Sequence, residues 1–127
     1  MSHAGKSSVV YGIYALVLGG VLLVKPYFVL GEYGMPRGCE PWVRVVGMFI
    51  FVLGEYYVGA ARRDLVEYFE LSVFGRYSVT VFMTIFVSLG FVPKVFIIMG
   101  VVDLFAATWT LLALRADRNS ARQRLEN

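Results

Sequence analysis

The sequence predicts an all-α integral membrane protein, a four-helix bundle with both termini on the cytoplasmic side. Apolar residues make up 58% of the 127-residue chain, above the roughly 45–50% usual for soluble domains, and the mean hydropathy is +0.68. These residues collect into four long runs, and an α-helix needs about 20 mostly apolar residues to cross a bilayer. We therefore predict one transmembrane domain with spans at about 9–30, 42–61, 77–92 and 95–114.

The first run, 9–30, is predicted to be a retained span. It is longer than the roughly 7–15 apolar residues at the core of a signal peptide, and no small-residue cleavage motif follows it. Pro26 has no N–H to donate to the carbonyl of Leu22, so we expect a kink or an early end of the helix there. Glycines and prolines are concentrated in 31–41, which predicts a short loop.

The second run, 42–61, contains one acid, Glu55, and is followed at once by Arg62 and Arg63. Apolar residues then recur at helical spacing beside charged ones, which predicts an interfacial helix at about 64–74 or a prolongation of the second span. Gly75 and Arg76 are expected to end this helix.

The third run carries three hydroxyl residues, Thr80, Thr84 and Ser88, at four-residue spacing. This spacing places them on one helical face, which we expect to look inward, with hydroxyls that bond mainly to carbonyls of their own helix. Pro93 and Lys94 predict a tight turn, so the third and fourth spans should form an antiparallel hairpin.

The distribution of basic residues predicts the orientation, because positively charged loops are retained in the cytoplasm. The polar tail, 115–127, is expected to be a solvated segment or a short surface helix. Both termini and the 62–76 segment fall on one side of the membrane, and we predict that this side is the cytoplasmic face of a bacterial inner (plasma) membrane. The predicted inner residues are Lys6, Arg62, Arg63, Arg76, Arg115, Arg118, Arg122 and Arg124, and the outer ones are Lys25, Arg37, Arg44 and Lys94.

Two acids within the predicted spans supply the candidate sites, because a charged side chain at the centre of a span costs about 2.5–3.5 kcal/mol. Helical rise places Tyr14, Thr84 and Thr110 near the level of Glu55. We predict that these four residues bind a ligand, and that Asp103 and Lys25 form a structural polar pair.

Other chemistry is not predicted. The sequence has no histidine cluster, glycine-rich phosphate loop or zinc ligand set, so we expect no metal, cofactor or catalytic residue. The single cysteine, Cys39, cannot form an intramolecular disulfide. The basic residues are explained by topology, so no nucleic-acid partner is predicted.

Three segments resemble small bacterial four-span membrane proteins of the DoxX-like and BphX-like kind. They are WVRVVG with the following YY and AARRDL within 42–65, SVFGRYSV at 72–79 and GVVDLFAATWTLLAL at 100–114. The resemblance implies a four-helix integral membrane protein, often encoded beside oxidative or redox genes. It implies no site residues.

The preferred functional hypothesis is a non-enzymatic membrane protein that holds a lipophilic small molecule or serves as a subunit of a membrane assembly. Its expected partners are the lipid bilayer and either further copies of the chain or another membrane protein. One alternative is an oligomeric small transporter or channel in which Glu55 titrates. A second is an enzyme of the lipid isomerase type.

Overall fold

The structure is a computed structural model that describes residues 2–30 and 37–127, and within them every regular element is helical. The α-helices are α1 (His3–Val24), α2 (Pro26–Leu30), α3 (Glu40–Arg62), α4 (Val66–Ser88) and α5 (Ile97–Glu126), with 3-10 turns at Arg37–Cys39 and Lys94–Phe96. The all-α prediction is therefore confirmed for the described residues. Most of the predicted 31–41 loop, residues 31–36, lies outside them.

Four of these helices, α1, α3, α4 and α5, are long and apolar enough to cross a membrane. This confirms four apolar runs of spanning length. The break expected at Pro26 is also confirmed, because α1 ends at Val24 and Pro26 begins α2. The Lys25 N–H still bonds to the Val21 carbonyl at 2.8 Å, and helical bonding stops at the proline, which has no N–H.

One helix, α4, covers two segments that the sequence analysis separates. The predicted interfacial helix at 64–74 and the first part of the predicted span at 77–92 are continuous, with Gly75 and Arg76 inside the helix. A glycine within a helix costs only about 1 kcal/mol. The helix continues through Gly75 because a row of buried side chains along α4 packs on both sides of it. That row consists of Phe69, Ser72, Val73 and Arg76.

The C-terminal end of α4 lies at Ser88, four residues before the predicted limit. Gly90 has φ +74°, and the N–H groups of Gly90 and Phe91 bond to the carbonyls of Val87 and Phe86 at 3.1 and 2.9 Å. These two bonds around a left-handed residue are the Schellman arrangement that ends helices.

The end of α3 has the same bonding pattern around a different residue. Asp64 has φ 51°, and the N–H groups of Asp64 and Leu65 bond to the carbonyls of Ala61 and Ala60 at 3.2 and 3.0 Å. A non-glycine residue tolerates this conformation best when it is Asn or Asp.

The chain divides into two compact units. In the unit Val9–Gly59, α1 packs directly on α3 through glycines: a Cβ on Gly19 would lie 2.5 Å from the Phe51 nitrogen, and one on Gly54 would lie 2.8 Å from the Leu16 nitrogen. The Tyr11 and Tyr57 rings meet edge to face with centroids 4.8 Å apart.

The same unit joins α2 to the start of α3 by polar contacts. The Tyr27 hydroxyl donates to Glu40 at 2.7 Å, Arg44 forms an ion pair with Glu40 at 2.8 Å, and Arg44 also donates to the Leu23 carbonyl.

The second unit comprises residues up to Ser8 together with Ala60–Asn127. Here α4 and α5 lie antiparallel: the Thr80 hydroxyl donates to the Gly100 carbonyl, and Tyr77 shares a hydrogen bond with Thr108, both at 2.9 Å. The predicted hairpin is thus confirmed. The predicted polar tail is the helical continuation of α5, and its side chains are largely exposed.

Candidate functional site

Three buried polar side chains from three helices meet in the second unit. We call Ser7 of α1, Arg76 of α4 and Thr110 of α5 the polar node, and each is at most 2% exposed. Arg76 Nη1 donates to Thr110 Oγ1 at 2.9 Å and to the Ala106 carbonyl at 3.2 Å. Thr110 Oγ1 lies 3.0 Å from Ser7 Oγ. The node therefore ties the N-terminal turns of α1 to the α4–α5 hairpin.

The direction of the hydrogen bonds in the node follows from counting protons. Ser7 Oγ donates its single proton to the Ala4 carbonyl at 2.8 Å, so in the Ser7–Thr110 contact Thr110 is the donor. The protons therefore all point one way, from the Arg76 guanidinium through both hydroxyls to a backbone carbonyl. Buried polar groups joined in a chain of hydrogen bonds of this kind stabilise one arrangement of the helices.

Asp103 is the second charged residue buried in this unit, at 6% exposed. It precedes Ala106 by three residues and Thr110 by seven, which places it on the face of α5 that Arg76 contacts. Opposite charges on facing sides of one helix pair lower the cost of burying either. The predicted partner of Asp103, Lys25, belongs to the other unit, and that pair stays a prediction.

The sequence predicts Arg76 at the end of a helix, because an arginine after a glycine is typical of a helix end at a membrane surface, but the structure buries it within α4. The available signal was spacing. Phe69, Val73 and Arg76 recur at i, i+4 and i+7, which is one face of a continuous helix, and all three are buried.

The hydroxyl residues on α4 form the predicted hydrogen bonds to their own helix, but they do not all face inward as predicted. Thr80 and Thr84 donate to the carbonyls four residues earlier, at 3.2 and 2.8 Å, which confirms the predicted local bonds. Only Thr80 also reaches α5; Thr84 and Ser88 are exposed. Thr84 lies eight residues beyond Arg76, about 12 Å along the axis, so the structure does not bring it into the node with Thr110.

The other two residues of the predicted ligand site, Glu55 and Tyr14, lie in the Val9–Gly59 unit. The Tyr14 ring is 37% exposed and has its centroid 5.8 Å from that of Tyr11. Glu55 is exposed on α3, and it makes no hydrogen bond or ion pair with any described residue. The grouping of Glu55, Tyr14, Thr84 and Thr110 into one ligand site stays a prediction.

A groove of about 560 Å³ runs along α1 and α2 in the same unit. Its walls are apolar apart from Lys25, which stands where the two helices meet; the lining includes Leu16, Val17, Val21, Val24 and Phe28. A slot of this chemistry suits an apolar chain with a negatively charged or polar end.

Among the described residues, no group of three or more His, Cys, Asp or Glu side chains is arranged to hold a metal ion. Comparison of the chain with protein-family models, curated proteins and solved structures finds no match.

Proposed function

We propose that the chain is a multi-pass protein of a plasma membrane that works as a non-enzymatic subunit of a membrane assembly, formed with further copies of itself or with another membrane protein. One observation carries the proposal: Glu55, within an apolar helix of spanning length, is exposed and has no partner among the described residues. The resemblance to DoxX-like and BphX-like proteins belongs to the same proposal.

The cost of leaving Glu55 in lipid supports a covering partner. Glu55 precedes the last residue of α3, Arg62, by seven positions, which is about 10 Å along the axis. An uncompensated acid in the hydrocarbon costs about 2.5–3.5 kcal/mol, and a hydrogen-bond donor on a neighbouring helix would offset much of that cost.

The surroundings of Glu55 on α3 suit the approach of a second helix. Helical spacing places Met48, Glu55 and Gly59 on one face. Met48 is 45% exposed, and a Cβ on Gly59 would meet nothing within 4 Å. A small residue one turn from a polar one lets another backbone come close enough for interhelical hydrogen bonds.

Native mass spectrometry in mild detergent tests the proposal. We expect the wild-type chain to appear in a complex of more than one polypeptide. Glu55→Gln should weaken the complex by roughly tenfold or more, because a hydrogen bond to a charged group contributes about 1.5–3 kcal/mol. Gly59→Leu should disrupt it by filling the open space on that face.

Matched controls separate assembly from folding. Glu67→Gln makes the same chemical change at an exposed acid in the first turn of α4, and Gly75→Leu adds the same bulk at another glycine with open space around it. Both should leave the complex unchanged. A wild-type chain that is monomeric in detergent and in vesicles, with no membrane protein bound, would contradict the proposal.

A second candidate function, holding a lipophilic small molecule, is favoured by the apolar groove beside Lys25. The same spectra bear on it, since a retained small mass would identify the ligand. The transporter with Glu55 as titrating site and the lipid isomerase stay predictions.

A further inference from the structure

A polar pocket of about 400 Å³ lies between the first turns of α1 and the C-terminal part of α5. It falls entirely within the unit that contains the polar node. Its lining brings together Ser2 and Lys6 from one end of the chain and Asp117, Ser120 and Arg124 from the other.

Asp117, the acid in this pocket, already accepts hydrogen bonds from α1. The Asp117 carboxylate accepts hydrogen bonds from the backbone N–H groups of His3 and Ala4 at 3.2 and 3.1 Å. It thereby caps the N-terminus of α1, where the helix carries a partial positive charge of about half a unit. The negative charge of Asp117 is thus directed at α1 and is partly neutralised there.

The two cations in the pocket are not engaged. Lys6 and Arg124 make no ion pair or hydrogen bond through their side chains with any residue between 2 and 30 or between 37 and 127. Arg118, by contrast, is paired with Glu70 on α4. The pocket therefore presents two available positive charges and the hydroxyl of Ser120 around a space large enough for a small anion.

The position of the pocket along α5 matches the headgroup layer of a membrane that α5 crosses. The helix has 30 residues, about 45 Å at 1.5 Å per residue, whereas the hydrocarbon core is about 30 Å thick. Counting about 20 residues from Ile97, the hydrocarbon ends near Ala116. Asp117 and Ser120 then lie within the next several ångströms, at the depth of lipid phosphates.

We propose that this pocket binds a phosphate group, with Lys6 and Arg124 as the charged ligands and Ser120 as a hydrogen-bond donor. The phosphate belongs either to the headgroup of an anionic lipid or to free inorganic phosphate. Guanidinium and ammonium groups are the side chains that recognise phosphate most strongly. This site is independent of the assembly face at Glu55.

The test uses the full-length protein in nanodiscs and a charge-matched pair of double variants. In Lys6→Gln with Arg124→Gln both pocket cations are removed. In Arg115→Gln with Arg122→Gln two positive charges are removed from the same stretch of α5 at positions that do not line the pocket. Circular dichroism should show that both variants keep the helix content of the wild type.

Two arms identify the source of the phosphate. In the first, nanodiscs contain phosphatidylglycerol and phosphatidylcholine, and native mass spectrometry after detergent exchange counts retained phosphatidylglycerol. In the second, nanodiscs contain phosphatidylcholine alone, and calorimetry follows titration with inorganic phosphate. We expect binding in at least one arm, weakened roughly 30-fold in the pocket variant, or about 2 kcal/mol at about 1 kcal/mol for each cation.

Retention of phosphatidylglycerol that is lost only in the pocket variant supports the proposal with a lipid as the source. Binding of inorganic phosphate that is lost only in that variant supports it with the free ion. Equal behaviour of the pocket variant and its control in both arms overturns the proposal.

Discussion

Arg76 shows how a single residue can unite parts of the chain that are far apart in sequence. Its guanidinium is 2% exposed and donates to both a hydroxyl and a carbonyl of α5. Burial of an arginine is costly unless its charge and its donors are compensated. Thr110 and the Ala106 carbonyl accept two of its hydrogen bonds, so the residue is costly to replace.

Replacement of Arg76 by leucine should therefore destabilise the protein. Arg76→Leu removes the donor to Thr110 and to the Ala106 carbonyl and leaves these buried polar groups without it, and we expect a loss of roughly 3 kcal/mol. The measurement is reversible unfolding of the purified protein in mixed detergent micelles, followed by circular dichroism.

Arg62→Leu is the control, because Arg62 is exposed at the end of α3 and its replacement should change stability by at most about 0.5 kcal/mol. Arg76→Lys should fall between the two, since it keeps the charge and loses the guanidinium geometry that reaches both Thr110 and the Ala106 carbonyl. Equal stability of Arg76→Leu and the wild type would show that the node contributes nothing.

At the scale of helices, the closest packing in the Val9–Gly59 unit depends on which glycines face another backbone. A Cβ on Gly19 would lie 2.5 Å from the Phe51 nitrogen and 2.7 Å from the Gly47 carbonyl oxygen, whereas one on Gly20 would meet nothing within 4 Å. Backbone atoms cannot rotate away as a flexible side chain can. Of these two neighbouring glycines in α1, Gly19 has no room for a side chain and Gly20 has open space for one.

The adjacent substitutions Gly19→Ala and Gly20→Ala should consequently differ in sign. Gly19→Ala forces α1 and α3 apart and should cost about 1–3 kcal/mol. Gly20→Ala should be neutral or stabilise by up to about 1 kcal/mol, because alanine favours the helix. Unfolding curves of the two variants, recorded under identical detergent conditions, compare them directly; coincident curves would contradict the close packing.

Helix positions could be predicted from the sequence wherever hydrophobic runs and proline decide them, as at 42–61 and at Pro26. The continuity of α4 could not, because Gly75 ends a helix or lies within one according to what the neighbouring residues pack against. The same limit applies to the candidate sites. Depth alone places Thr110 in the predicted ligand site, whereas its hydrogen bonds depend on Arg76. The position of Glu55 in an apolar run does not reveal which face of α3 it occupies, and the structure leaves it exposed.

At the scale of the whole molecule, the positive charges predict how the chain is oriented. Four predicted spans would place both termini on one side; apart from Arg76, which is buried within α4, seven of the other eleven lysines and arginines belong to the predicted inner group. This prediction places the basic C-terminal part of α5, and with it the proposed phosphate pocket, on that side. We propose that this side is the cytoplasm, in accordance with the retention of positive loops.

The single cysteine provides a direct check of this orientation. Cys39 precedes α3 and is partly exposed, so a membrane-impermeant maleimide should label it in spheroplasts. In the background of Cys39→Ser, the variant Asn119→Cys should react only after the membrane is permeabilised, since Asn119 is exposed on α5. Labelling of Asn119→Cys without permeabilisation would reverse the orientation.

The cap on α1 also has a consequence for the order of events during synthesis. The Ala4 N–H and the Asp117 carboxylate that accepts it are 113 residues apart, and a ribosome adds about 5–20 residues per second. The first turn of α1 therefore lacks its Asp117 cap for roughly 6–20 s after it has been synthesised. Until Asp117 of α5 has been synthesised, the first turn of α1 lacks its cap, so this contact between α1 and α5 forms only after the helices between them have been made.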